Sequence, residues 1–384
     1  MLMKPVVAGI DAKRYIEARP DTYLLFPYRV DEAGAHLIPA ADMARDYPNA
    51  WAYLRQWEAE LRARENGSFD DDQWWRFGRH QNLDKQEISK VIVPRLVASL
   101  SCSTDSNGSL YLDNVDVGGV APANGVSPFF LTGVLNGKVA NFVFRRTSKP
   151  FRGEYRSANK QYIEPIPIPN ATDAQRTDIA QRAEELQRLH SARRGTLLDI
   201  ARRFQASNAR PLPDSWLFPD LPAAEAVEAG APEHLGRVER RAWIKTAREK
   251  LVEQKCVQLG QELVVGAAMD ASFERGELRF FIDGVAVIER VFVGDAEGAF
   301  ILAQWKVIAS TFTISEKTTG KKLAEALRRV APAAPEPLRS QVIALVATLT
   351  NTEREAATAE AEMNRRLYAL YGLTPAEIEI VERG

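Results

Sequence analysis

Two arginines held among aromatic residues, Arg76 and Arg79 in the run Trp74-Trp75-Arg76-Phe77-Gly78-Arg79, have the chemistry to read a nucleic acid. A guanidinium presents a planar fork that matches O6 and N7 of guanine, and such a pair discriminates against a wrong base by about 1–3 kcal/mol. The competing reading is a packed aromatic strand whose arginines are merely solvated. Lys85, closing the polar run His80-Gln81-Asn82-Leu83-Asp84-Lys85, can reach a phosphate or a base, or sit on a plain surface loop. A second group lies between Lys138 and Lys160, where seven cations face one acid, Glu154. Clustered positive charge adds its fields, so Arg145, Arg146, Lys149 and Arg152 are candidate phosphate anchors. Phe142, Phe144, Phe151 and Tyr155 are interleaved with them. Tyr155 and Tyr162 can stack on bases, donate a hydrogen bond or lie in a core.

Composition narrows the classes. At 384 residues the chain can build two or three domains, and 45% apolar with 26% charged residues is ordinary for a globular protein. The formal net charge of -1 means any nucleic-acid face must arise from the local distribution of charge. No apolar run approaches the ~20 residues of a membrane span and no signal pattern opens the chain, so a cytoplasmic location without membrane contact is expected. Cys102 and Cys256 supply neither a disulfide framework nor a zinc site, and His36, His80, His190 and His234 lack ligand spacing. No catalytic residue, metal or cofactor is therefore assigned to this chain.

The elements that must position these side chains read as α+β. A β-type run at 22–28 precedes a helix over roughly 40–65, whose 51, 54, 57–58, 61 spacing places Trp51 and Trp57 in the core. Short strands follow at 90–94, 96–101, 109–112 and 115–120, separated by the turn residues Asp105-Ser106-Asn107-Gly108 and Gly118-Gly119. Helical spacing returns over 127–144. After Pro165, Pro167 and Pro169, Asp173 caps a long helix to about Phe204, with a seam at 179, 183, 186, 190, 193, 197, 200 and 204. That seam fits a coiled coil weakened by His190 and Arg193, or an amphipathic helix packed on a neighbour. A Pro/Ala-rich linker spans 205–235, and 236–384 is mainly helical with a β-hairpin at 277–293 around Asp283-Gly284. Asp283, a strand-like Phe300–Ala303 and Gln304-Trp305-Lys306 loosely echo a metal-dependent nuclease; a ribbon with Lys306 on the surface is the better reading.

Several islands occur in an order that resembles the TaqI-like specificity domain of bacterial adenine-N6 DNA methyltransferases. They are Pro5-Val6-Val7-Ala8-Gly9 with Asp11, Arg14 and Tyr15, then Leu24-Leu25-Phe26-Pro27-Tyr28, and then Pro48, Trp51, Tyr53, Leu54 and Arg64. The Trp74–Arg79 run, Lys90-Val91-Ile92-Val93-Pro94, Leu135-Asn136-Gly137-Lys138 and Ile166-Pro167-Ile168-Pro169 complete the set. The tail Leu367–Thr374 with Glu377-Ile378 is similar to the ending of larger enzymes of this group; residues 205–350 match nothing clear.

The resemblance implies a target-recognition domain at 1–170, a helical spacer at 171–204, a linker at 205–235 and a helical region at 236–384. It implies double-stranded DNA and a methyltransferase catalytic domain, in cis or in trans, as partners, with S-adenosylmethionine bound in that catalytic domain. An Asn-Pro-Pro-Tyr-type loop and a glycine-rich cofactor loop are absent from the sequence, so this chain is not expected to methylate by itself. The expected function is a DNA-recognition module of a restriction–modification or phage-defence system. A non-catalytic specificity subunit and a protein–protein adaptor are the alternatives.

Overall fold

The computed structural model describes residues 2–113, 115–151, 155–204, 212–331 and 335–383. About 50% of the chain is helical and about 15% is strand, divided among several small sheets, so the fold is α+β. Two compact units contain 1–149, 156–191 and 358–384, and 150–155 with 192–357.

In the first unit, β1 (Met3–Val7) pairs antiparallel with β2 (Tyr23–Leu25) and parallel with β8 (Tyr111–Leu112). A hairpin joins β3 (Tyr28–Asp31) to β4 (Gly34–Leu37). The run Lys90–Pro94 forms β5, flanked antiparallel by β7 (Ser103–Asp105) and β9 (Val117–Val120). All five residues of β5 are buried. Alternate side chains leave a strand on opposite faces, so Val91 and Val93 join Leu135 and Phe144 while Ile92 joins Val7 and Val117. Two-residue strands β6 (Leu96–Val97) and β10 (Arg156–Ser157) pair beside them.

Helical spacing over 40–65 resolves into short helices, Ala40–Asp46, Pro48–Gln56 and Glu58–Arg62. Proline starts a helix at little cost but cannot continue one, so Pro48 forces the first break. A second break at Trp57 takes that ring off the apolar face. Trp51 packs on Trp74 and Trp75 as expected, but Trp57 is 49% exposed. The 127–144 pattern is likewise two helices, Pro128–Asn136 and Lys138–Thr147. They separate at Gly137, where a Cβ would lie 2.5 Å from Leu367 Cδ1.

The long helix runs Asp173–Phe204 as its seam predicts. Its cap is Thr172 rather than Asp173: Gln175 N donates to Thr172 Oγ1 at 3.3 Å and Thr172 N donates to Gln175 Oε1 at 2.9 Å. Within the first unit it lies antiparallel to the C-terminal part of Leu338–Tyr371, pairing Asp178 with Arg366 and Arg182 with Glu362. His190, the polar seam position, donates to or accepts from Glu360 Oε1 at 2.8 Å, where Arg14 also binds at 2.7 Å. A final helix, Pro375–Glu382, is opened by a Thr374–Glu377 capping box.

The second unit is built on an antiparallel sheet of β11 (Met269–Glu274), β12 (Glu277–Ile282) and β13 (Val285–Phe292). Asp283 and Gly284 both have positive φ, 47° and 80°, as a two-residue hairpin turn requires. Leu278, Phe280 and Ile282 point into a core with Trp305 and Leu323. Phe300–Ala303, expected to be strand-like, is part of the helix Asp295–Thr311, because sheet-facing apolar residues at 300, 301 and 305 follow helical spacing. Lys306 is not on the surface. It is 8% exposed and contacts Asp270 at 2.7 Å and Glu353 at 2.8 Å. Within 212–235, short helices Asp214–Leu217 and Ala224–Glu228 occur, and Leu212, Leu217 and Phe218 are buried in the core.

Candidate nucleic-acid interface

Aromatic packing explains why the scattered islands of the first unit belong together. Phe26, Tyr28 and Phe77 meet at centroid distances of 5.2–5.9 Å, and Tyr111 packs on Phe26 at 4.9 Å. Phe77 N donates to Tyr28 Oη at 2.7 Å, and Trp75 Nε1 donates to the Ile38 carbonyl at 3.3 Å. Trp74 and Trp75 are therefore buried, and the chain emerges at Arg79 with its side chain exposed.

The two arginines of this run do different things. Arg76 is spent on its surroundings: Asp71 at 2.5 Å, the Gln73 carbonyl at 3.1 Å and the Ser68 carbonyl at 3.2 Å. Its guanidinium also lies 4.6 Å from the centroid of Phe69, whose ring has Arg64 at 4.2 Å. Arg79, by contrast, lines a groove of about 840 Å³.

That groove takes its walls from two stretches, 77–90 and 158–164, with β9 and Tyr111–Asp113 between them in the lining. The first stretch contributes Arg79, Gln81, Asn82 and Lys85. Asn82 has φ 60°, a left-handed conformation that asparagine tolerates better than most residues, and it turns the chain into the Leu83–Lys85 turn. Lys90 holds this stretch from below, donating to the Gln86 carbonyl at 2.7 Å, the Ile88 carbonyl at 3.2 Å and Asp105 at 2.7 Å. Burial pushes the Lys90 ammonium below its ordinary value, and the Asp105 carboxylate partly restores it. Glu87 receives Lys4 at 2.7 Å and the Tyr111 hydroxyl; these two donors, Lys4 first, hold its carboxyl below the usual range. The Tyr111 phenol is pushed up, by burial first and then by Glu87.

The second stretch contributes Asn159, Lys160 and Glu164, and Arg95 at the end of β5 joins it. Gly118 and Gly119 of β9 present backbone to the groove; a Cβ on Gly119 would come within 2.9 Å of Leu112 Cδ1. Four cations of the lining, Arg79, Lys85, Arg95 and Lys160, have no ion-pair partner among the described residues. Asp113 and Glu164 are the carboxylates of the lining.

Other expected contacts lie elsewhere. Arg145 and Arg146 are exposed on the Lys138–Thr147 helix and Lys149 follows it; none lines the groove. Arg146 folds back over Phe142, 3.4 Å from the ring centroid, and donates to the Phe142 carbonyl at 3.2 Å. Tyr155 belongs to the second unit, with its ring against Gly266, and Arg152 lies outside the described residues. Arg95 escaped sequence reasoning because it is a lone cation after a buried strand. Lys160 was visible only as the last charge of a basic run. Among the described residues no group of three or more His, Cys, Asp or Glu is arranged to hold a metal, and no helix is long and apolar enough to cross a membrane.

No family model matches the chain. It is similar to the type II restriction enzyme and methyltransferase RM.Eco57I of Escherichia coli, 23% identical over 184 residues. The match covers 43% of this chain and 18% of that protein, so the chain spans less than a fifth of the relative it matches. This distant, partial likeness links the chain to restriction–modification enzymes.

Proposed function

We propose that the first compact unit binds duplex DNA through the groove at Arg79 and Lys85, and serves as the sequence-recognition module of an adenine-N6 DNA methyltransferase of a restriction–modification system. The observation that carries this reading is the concentration on one groove of four cations without ion-pair partners among the described residues, in a chain whose net charge is -1. Cations left unpaired at a surface concavity concentrate positive potential where an anion can enter. The partial likeness to a restriction enzyme and methyltransferase supports DNA as that anion.

The lining also has the means to read sequence. Arg79 offers guanine a fork, Gln81 and Asn82 offer adenine a donor–acceptor pair, and Asp113 or Glu164 can accept from cytosine N4. Phosphate contacts set register and the base contacts set preference. In this reading Arg145, Arg146 and Lys149 supply additional sequence-independent DNA contact. Methyl transfer, with S-adenosylmethionine, falls to a catalytic domain that acts with this unit in cis or in trans; such enzymes extrude the target base and need a partner surface to hold the distorted duplex.

Selection of bound duplexes from a randomised library at two salt concentrations tests this. An enriched motif together with a steep salt dependence is the expected result. Absence of duplex binding at low salt overturns the reading.

A further inference from the structure

Arg95 and Lys160 come from distant points of the chain, yet one hydrogen bond brings their segments together. Ala158 N donates to the Arg95 carbonyl at 2.8 Å, next to the β6–β10 pairing, and Arg95 N donates to the Asp116 carbonyl at 2.8 Å. The Arg95 backbone is thus fixed on both sides, and its side chain and that of Lys160 line the same groove.

Arg95 carries a second mark. Its Nε is sealed from solvent and has no hydrogen-bond acceptor among the described residues. The terminal nitrogens of the guanidinium likewise make no hydrogen bond among the described residues, so they are the donors left for a ligand in the groove. Phosphate oxygens suit a guanidinium fork for this purpose. The neighbouring lining fits a sugar–phosphate backbone better than a base edge. Gly118 and Gly119 present bare backbone to the groove, and Asn159 adds an amide donor beside Lys160.

We infer that Arg95 and Lys160 form a phosphate grip on the DNA backbone, separate in role from the base-reading residues at 79–85. This rests on the DNA reading of the groove and assigns two residues their part in it. The grip holds the duplex whatever its sequence, and Arg79, Gln81 and Asn82 then test the bases.

The test is equilibrium binding of the full chain to a duplex of about 20 base pairs of arbitrary sequence, between about 50 and 200 mM salt, the range over which phosphate contacts are felt. Wild type, Lys160→Gln, Arg95→Met and the double variant are compared. Each single change should weaken binding at low salt and flatten the log–log salt slope by about 0.9, and the double change by about 1.8. Preference between the selected motif and arbitrary sequence should stay unchanged. Lys160 is exposed and outside the core, so Lys160→Gln reports even where Arg95→Met lowers stability. A wild-type slope in Lys160→Gln and in folded Arg95→Met overturns the grip and leaves the DNA reading intact. Failure of the wild-type chain to bind duplex overturns both.

Discussion

The Lys90 ammonium and the Asp105 carboxylate meet at 2.7 Å with only about 3% of each side chain exposed, directly beneath the stretch that carries Arg79 and Lys85. Asp105 is also bonded by the backbone amides of Ser109 and Leu110, at 3.1 and 3.0 Å. The pair therefore ties three strand-edge segments to one buried point. Breaking a buried ion pair from one side leaves a charge without compensation, at about 3–5 kcal/mol. Lys90→Met should cost about 3 kcal/mol, the lower end, because two amides still serve Asp105. Chemical denaturation measures it; a loss below about 1 kcal/mol would show that the carboxylate finds another partner.

Arg76 and Arg79 should separate cleanly. Arg76→Ala removes three hydrogen bonds and a contact with Phe69, so it should lower the unfolding midpoint. Arg79→Ala removes no hydrogen bond or ion pair among the described residues and should leave stability unchanged while flattening sequence preference by about 10-fold or more, the worth of one base contact. Arg146→Ala should weaken binding to every sequence alike and lower the salt slope. Equal losses on all sequences from Arg79→Ala and Arg146→Ala would abolish this division of roles.

Glu360 predicts an acid limit. Burial by itself would raise its carboxyl, but the hydrogen bond with His190 and the charge of Arg14 win, bringing it from the ordinary 4.5 down to about 2. In the window between those values the unfolded chain binds more protons than the folded one, so stability rises with pH. The contribution, on the order of 3 kcal/mol, is complete above pH 4.5 and is lost as pH falls toward 2. Unfolding of the wild type and of Glu360→Gln at several pH values from 6 to 3 checks it. The difference between the two should shrink as the solution is acidified; a constant difference would remove Glu360 from the account.

Two glycines should respond in opposite directions to alanine. A Cβ on Gly320 would fall 2.0 Å from the Cys256 carbonyl oxygen and 2.5 Å from Gly260 N, so the helices Arg237–Gln261 and Gly320–Arg328 pack through bare backbone there. Gly320→Ala should cost about 1–3 kcal/mol through overpacking. Gly195, exposed within Asp173–Phe204, has no neighbour among the described residues within 4 Å of its would-be Cβ. Gly195→Ala should stabilise by about 0.5–1 kcal/mol because alanine loses less backbone freedom in a helix. Thermal unfolding of both variants gives the signs.

Local pattern made much of the architecture legible. The five buried residues of Lys90–Pro94, the seam of Asp173–Phe204 and the Asp283-Gly284 turn all follow from side-chain period and turn chemistry, which act over a few residues. Phe300–Ala303 is helical although a short apolar run by itself suits a buried strand as well as a buried helix. Trp57 leaves the apolar face because the single helix its spacing predicts is interrupted at Pro48 and at Trp57 itself. The burial of Lys306 depends on two acids distant in sequence, Asp270 and Glu353, that no local pattern brings together.

From residue types alone came an α+β chain with arginines set among tryptophans near Arg79, since hydrophobic period and side-chain chemistry are properties of short stretches. Only the folded chain decided that Arg76 is consumed by Asp71 and Phe69 while Arg79 is free to meet a ligand. It likewise decided that Arg95 and Lys160, 65 positions apart, share one groove with Lys85. Whether a cation is paired depends on what the rest of the chain brings within about 4 Å of it, and that proximity is set by strand pairing and packing between segments remote in sequence.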